Sequence, residues 1–278
     1  MAAFTSLRRG HSARCNTPIR LGLGSYALRW TLRDQDPVKS CRQLITTTAE
    51  LGLDLVQIAD NVALLDLEVP QRRELKALAG DAGVSVEVGT RSYRAGDFRR
   101  MLRIADTFGS RHVRVVGVDL RRLEELLGRV KTDVAAWGGL VVVENYFPVR
   151  TANLLQVLGD VGDWVGTCAD TANSIPAGEW PLETLAGLLP FAYYVHIKDY
   201  QFVPGPDAIG WTLIGTPLGT GQQEVGAIVQ AAATAPHRPD LVIEHWLPWM
   251  GSQCATSRAE RDWVERGVSM LRPLVSNT

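Results

Sequence analysis

Tyr193–Tyr200 reads YYVHIKDY, a run that begins like a buried strand and ends in a histidine, a lysine and an aspartate. Period-two alternation puts Tyr194, His196 and Lys198 on one face, so two polar groups point the same way. Taken alone, a strand histidine is more often a hydrogen-bonded core residue than a ligand. The stretch gains meaning from its neighbours. GLVVVENY (139–146) carries Glu144 near its end, WVGTCAD (164–170) closes on Asp170, and DLVIEHW (240–246) carries Glu244. Each follows residues of full core character.

Upstream the same alternation continues, with strand candidates at IRLGLGSY (19–26), LDLVQIAD (53–60), VSVEVGT (84–90) and HVRVVGV (112–118). Between the strands lie amphipathic segments such as DPVKSCRQLITTTAELG, where Val38, Cys41, Leu44 and Ile45 recur at helical spacing and Gly52 is placed to end the helix. Similar segments start near Val69, Phe98, Leu120, Ala152, Leu182, Glu224 and Ala255. Eight βα units with no Pro/Gly/Ser linker between halves predict an α/β fold, a closed (β/α)8 TIM barrel in a single domain over 18–278, rather than an open doubly wound sheet. Residues 1–17, with Arg8, Arg9 and Arg14 but no periodicity, read as a flexible N-terminal extension without a catalytic role.

The chain has 278 residues, 46% hydrophobic and 21% charged, enough for one large core. A formal net charge of −1 offers no field for nucleic acid or an anionic membrane, so an anionic substrate must be held locally. No apolar run approaches a membrane span, and the N-terminus lacks a secretory apolar stretch. Cys15, Cys41, Cys168 and Cys254 are scattered without CxxC pairs and read as reduced thiols of a cytoplasmic protein. No phosphate loop occurs, and LGLGSY lacks the full GxGxxG spacing, so a nucleotide cofactor is not indicated.

In a barrel the C-terminal ends of the strands build one rim, where Glu144, Asp170, His196 and Glu244 would converge. Three carboxylates in a largely apolar mouth lose hydration and repel one another. A divalent metal balances most of that charge and takes the imidazole as a fourth ligand; the alternative is a buried salt-bridge network. An oxygen-rich set with one nitrogen and no thiolate suits Mn²⁺ first, or Mg²⁺ or Co²⁺.

With VVVENY, CADTANS, YVHIKDY, the GTPLGTGQ loop and LVIEHW, the sequence resembles the xylose isomerase-like TIM-barrel superfamily, in particular its sugar isomerase/epimerase branch that includes the ketose 3-epimerases. The resemblance runs from about Ile19 to the C-terminus. It implies metal ligands at Glu144, Asp170, His196 and Glu244, and a small sugar or keto-sugar substrate. One departure is DTAN, which places Asn173 where several ketose epimerases carry a histidine; asparagine can hydrogen-bond a substrate hydroxyl or carbonyl but carries no proton charge.

The leading expectation is a metal-dependent isomerase/epimerase that abstracts a proton beside a carbonyl and passes through a metal-stabilised enediolate, with Glu144 and Glu244 as opposed acid/base groups. The alternative is a lyase, a dehydratase, decarboxylase or C-glycoside-cleaving enzyme, using the same site. Lys198 is a candidate substrate-contacting cation or a salt-bridge partner of Glu144 or Glu244. Trp246 offers an apolar wall for a sugar ring, and Arg91 a clamp for carboxylate or phosphate. Arg29 and Trp30 are expected on the same rim, Glu87 as a further pocket acid or the partner of Arg91, and Asp199 as a cap or hydrogen-bond acceptor. His245 falls outside the metal set by alternation. Apolar rim residues are compatible with a homo-oligomer.

Overall fold

The computed structural model describes residues 18–278, so the extension expected over 1–17 lies outside the described residues. Eight parallel strands close into a barrel: β1 (Leu21–Gly24), β2 (Leu55–Ile58), β3 (Ser85–Thr90), β4 (His112–Gly117), β5 (Leu140–Asn145), β6 (Val165–Asp170), β7 (Ala192–Ile197) and β10 (Asp240–Ile243). Each pairs with its predecessor, and β10 returns to β1 to complete the ring. All eight expected strands are present. The eightfold alternation does not foretell a two-stranded antiparallel hairpin, β8 (Asp199–Pro204) and β9 (Trp211–Thr216), that continues from the end of β7.

Eight helices return the chain: α1 (Pro37–Glu50), α2 (Val69–Asp81), α3 (Ala95–Phe108), α4 (Leu120–Trp137), α5 (Thr151–Val161), α6 (Pro181–Leu188), α7 (Val225–Thr234) and α8 (Gln253–Ser276). The first shows how the local code works. Asp36 accepts from the Val38 and Lys39 N–H groups, Pro37 occupies the first turn, and just beyond the last turn Gly52 takes a φ of +61°.

Outward-facing strand residues pack against the helices in one continuous core. Inward-facing residues form layers. The middle layer is apolar, a separate cluster of Leu55, Val142, Cys168, Tyr194 and Val242. Gly22 makes room for it, because a Cβ there would lie 2.7 Å from Leu55 Cδ1.

Below that plug, at the N-terminal end of the barrel, polar groups satisfy one another. Arg20 pairs with Asp240 at 2.6 Å, His112 Nδ1 lies 2.6 Å from the Tyr194 hydroxyl, and Ser110 Oγ donates to Glu87 Oε2. Glu87 is therefore neither a pocket acid at the mouth nor the partner of Arg91. Gly89 holds the next inward position on β3, so Glu87 falls one layer too deep to reach the rim.

Burial pushes the Glu87 carboxyl up to about 7, against an ordinary value of 4.5. Between those two values the folded chain keeps a proton that the unfolded chain has released, so this group's contribution to stability is lost as pH rises through that window. Glu87→Gln removes the titration. The stability difference between wild type and variant, measured by urea unfolding, is expected to shift against wild type as pH rises from about 4.5 to 7. A difference independent of pH would show that Glu87 ionises normally.

Candidate functional site

At the opposite end, the strand register brings four expected residues together. Glu144 and Asp170 lie at the ends of β5 and β6, His196 near the end of β7, and Glu244 just past β10. Asp170 is level with His196 across β6 and β7, and His196 with Val242 across β7 and β10. His196 Nδ1 lies 3.5 Å from Glu244 Oε1, 3.7 Å from Asp170 Oδ2 and 3.8 Å from Glu144 Oε1. It is fully buried and has no hydrogen-bond partner. The other ring nitrogen, Nε2, lies 2.6 Å from Gln57 Oε1. An amide oxygen only accepts, so Nε2 carries the hydrogen and Nδ1 turns its lone pair towards the carboxylates. An unpartnered ring nitrogen among three carboxylate oxygens is a cradle that could take a divalent cation, with Asp170, His196 and Glu244 close enough to share one ion and Glu144 grouped with Cys168 and His196.

Cys168 also lies within ligand distance of Glu144 and His196. Burial pushes its thiol well above the ordinary range.

Each carboxylate is held by a dedicated arrangement. Gly24 clears the space that Glu244 fills, since a Cβ there would lie 2.6 Å from Glu244 Cγ. The glycines of LGLGSY thus serve side-chain room. Asp170 Oδ1 accepts from the Ala172 and Asn173 N–H groups at 2.9 Å each, and Asn145 brackets the Asp170 backbone with two hydrogen bonds. Oδ2 is left to Lys198, whose Nζ sits 2.7 Å away and also donates to Glu244 Oε2 at 3.1 Å. Of the two expectations for Lys198, the structure shows the salt bridge, to Glu244 and Asp170 and not to Glu144. Its ammonium also lies 5.1 Å from the centre of the Trp246 ring, which brings Trp246 to the site.

Burial alone would raise the Asp170 and Glu244 carboxyls, but the Lys198 ammonium that bridges them counters it, and both are held low. Burial would likewise lower Lys198, yet the two carboxylates win and raise it. Lys198 is thus a permanent cation.

Asn173, expected as a substrate contact, lies beside Glu144. Its Nδ2 donates to Glu144 Oε1 at 2.9 Å and to the Asn145 carbonyl at 3.2 Å, so it holds Glu144. Two residues absent from the sequence reading complete the centre. Gln57 orients the imidazole, and Arg114, buried on β4, donates through Nη1 to Glu144 Oε2. Arg114 fits only because Gly89 faces it, where a Cβ would come within 2.8 Å of its Nε. A charged residue inside the apolar run HVRVVGV was the available signal.

On the rim, Arg91 Nε lies 3.3 Å from Asp60 Oδ2 and its guanidinium 4.7 Å from the Tyr146 ring centre. Arg29 lies over the Trp30 ring at 4.7 Å, and Trp30 is tied to the neighbouring segment after β10 by a 2.8 Å hydrogen bond to the Leu247 carbonyl. Asp199 is the acceptor it was expected to be: it takes the Tyr200, Gly219, Gly221 and Gln223 N–H groups and so fixes the GTPLGTGQ loop. His245 stays out of the cluster against Trp263, and burial lowers its pKa to about 4, leaving it neutral.

No family model matches the chain. A curated relative, the 3-oxo-isoapionate decarboxylase of Pectobacterium atrosepticum, is 28% identical over 261 residues, spanning 91% of this chain and 95% of the relative. Among solved structures, a xylose isomerase-like TIM barrel protein from Mycobacterium smegmatis in complex with magnesium is 19% identical, with a TM-score of 0.62 over 94% of this chain and 99% of that one. A D-psicose 3-epimerase, solved in the presence of D-fructose, is 13% identical, with a TM-score of 0.70 over 92% and 99%. The fold is thus the xylose isomerase-like TIM barrel that the sequence resemblance implied.

The Gln57 contact generates a direct expectation. Gln57→Leu keeps the bulk but removes the acceptor that fixes the imidazole, and such supporting contacts are worth roughly 10- to 100-fold in metal affinity. Titration with Mn²⁺ is expected to show a loss of that size with the far-UV circular dichroism unchanged. Unaltered affinity would show that the imidazole does not depend on Gln57 for its orientation.

Proposed function

We propose that the chain is a divalent-metal-dependent sugar-modifying enzyme and, within that class, a lyase that removes CO2 from a 3-oxo sugar acid. The observation that carries this reading is the occupation of the outer oxygens of Glu144 and Glu244. Arg114 holds Oε2 of Glu144, and Lys198 holds Oε2 of Glu244. An epimerase needs one carboxylate to take a proton and the other to return one, and a carboxylate oxygen engaged by a buried cation is a poor base. Decarboxylation beside a carbonyl needs no base in the bond-breaking step. The likeness to a decarboxylase over nearly the whole chain supports the same choice.

Glu144, Asp170, His196 and Glu244 would hold the cation, which when bound supplies electrophilic polarisation of the substrate carbonyl. The protein's own part is to orient the substrate and to stabilise charge. As the bond to the carboxylate breaks, its electron pair moves into the carbonyl, leaving an enediolate oxygen that gains negative charge, and a solvent proton then replaces CO2 on carbon. Lys198, kept protonated between Asp170 and Glu244, is the chain's cation for that oxygen. Trp246, beside Lys198, supplies an apolar surface for the carbon skeleton.

Incubation with a 3-oxo sugar acid in D2O is expected to release one CO2 per turnover and to place one deuterium in the product. Exchange of a carbon-bound hydrogen in a neutral ketose, without loss of mass, would instead support the epimerase reading. Lys198→Met is expected to lower turnover by about 10²- to 10³-fold, the usual cost of losing a preorganised oxyanion partner, while metal content is retained. Turnover within a few-fold of wild type would remove Lys198 from the chemistry.

A further inference from the structure

A second charged cluster lies beside the first. Asp60, just beyond β2, accepts from the Tyr26 hydroxyl at 2.8 Å and pairs with Arg91 Nε at 3.3 Å, while its other oxygen is 3.8 Å from Arg114 Nη2. Arg114 in turn reaches Glu144, so an unbroken series of contacts links Arg91 to the cluster. Around this mouth four carboxylates, Asp60, Glu144, Asp170 and Glu244, face three permanent cations, Arg91, Arg114 and Lys198. A divalent cation converts that deficit into a surplus of one positive charge, which a monoanionic ligand would balance.

Among those three cations, Arg91 alone reaches solvent. Its side chain is 41% exposed, against 2% for Arg114 and 3% for Lys198. It is not a loose surface arginine. Its Nε is fixed on Asp60, its face rests on the Tyr146 ring, and the Tyr26 ring lies 6.0 Å away. Tyr146 stands two residues beyond Glu144, so the stacking surface is carried by the segment that directly follows the strand supplying a member of the cluster.

We propose that Arg91 receives the substrate's carboxylate and restricts the site to sugar acids over neutral sugars, an inference that rests on the functional reading above. A planar guanidinium offers a fork of donors that matches a carboxylate, and pre-orientation by Asp60 and Tyr146 lowers the entropy cost of using it.

The test uses Mn²⁺-loaded protein and two inert probes of equal length, erythronate and the neutral erythritol, titrated calorimetrically alongside elemental analysis of bound metal. Erythronate is expected to bind at least about tenfold more tightly than erythritol. Arg91→Met is expected to abolish that preference with metal content unchanged, and Arg91→Lys to restore part of it. Equal binding of both probes by metal-loaded wild type, or undiminished erythronate binding by Arg91→Met, overturns the inference alone. A protein that takes up no metal overturns the functional reading and the inference with it.

Discussion

The imidazole of His196, closed in by three carboxylate oxygens with its own lone pair unpartnered, is the constraint around which the barrel mouth is arranged. Buried carboxylates this close cost several kcal/mol each unless paired. The chain's answer is visible in the surrounding residues. Lys198 bridges two acids, Arg114 takes the third, Asn145 and Asn173 fix the strand ends, and Gln57 sets the imidazole from across the barrel. On Glu244 Lys198 takes Oε2 and leaves Oε1 facing Nδ1, whereas Asp170 Oδ2 faces both Lys198 and Nδ1, and Glu144 is engaged at both oxygens, by Arg114 and Asn173.

Glycine gives that centre its room. Gly24 and Gly89 stand opposite Glu244 and Arg114, each where any Cβ would collide with the charged side chain. The apolar layer beneath separates this charge from the Arg20, Asp240, Glu87 and His112 group at the base. The two polar ends of the barrel interior therefore answer to different demands, one to ligand chemistry and one to folding.

Much of this was legible in the sequence. Eight apolar runs, with Glu144, Asp170 and Glu244 at the ends of three and His196 with Lys198 at the end of another, announce the barrel and the four convergent residues, because parallel strands read as continuous apolar segments and place their last inward residue on one rim. What escaped is equally physical. Arg114 and Gln57 lie inside such runs, and only the closed geometry shows that their faces turn inward at the height of the acids. Glu87 looks like a site acid until the level of Gly89 is known. The hairpin β8–β9 was hidden because its turn, PGPDAIG, carries the proline and glycine of a loop, and its tip leaves Ile209 and Trp211 exposed without core alternation. The turn that Asp170 starts also brings Asn173 to Glu144, a contact that no spacing in the sequence announces.

The central claim is that a divalent cation completes the cluster at His196. Anomalous diffraction from crystals soaked in Mn²⁺ tests it most directly. The account predicts one peak per chain, enclosed by Glu144, Asp170, His196 and Glu244, with Lys198 remaining on Glu244 Oε2 and Arg114 on Glu144 Oε2. A cluster that stays free of manganese at saturating concentration, with the three carboxylates neutralised by Lys198, Arg114 and protonation alone, would contradict it.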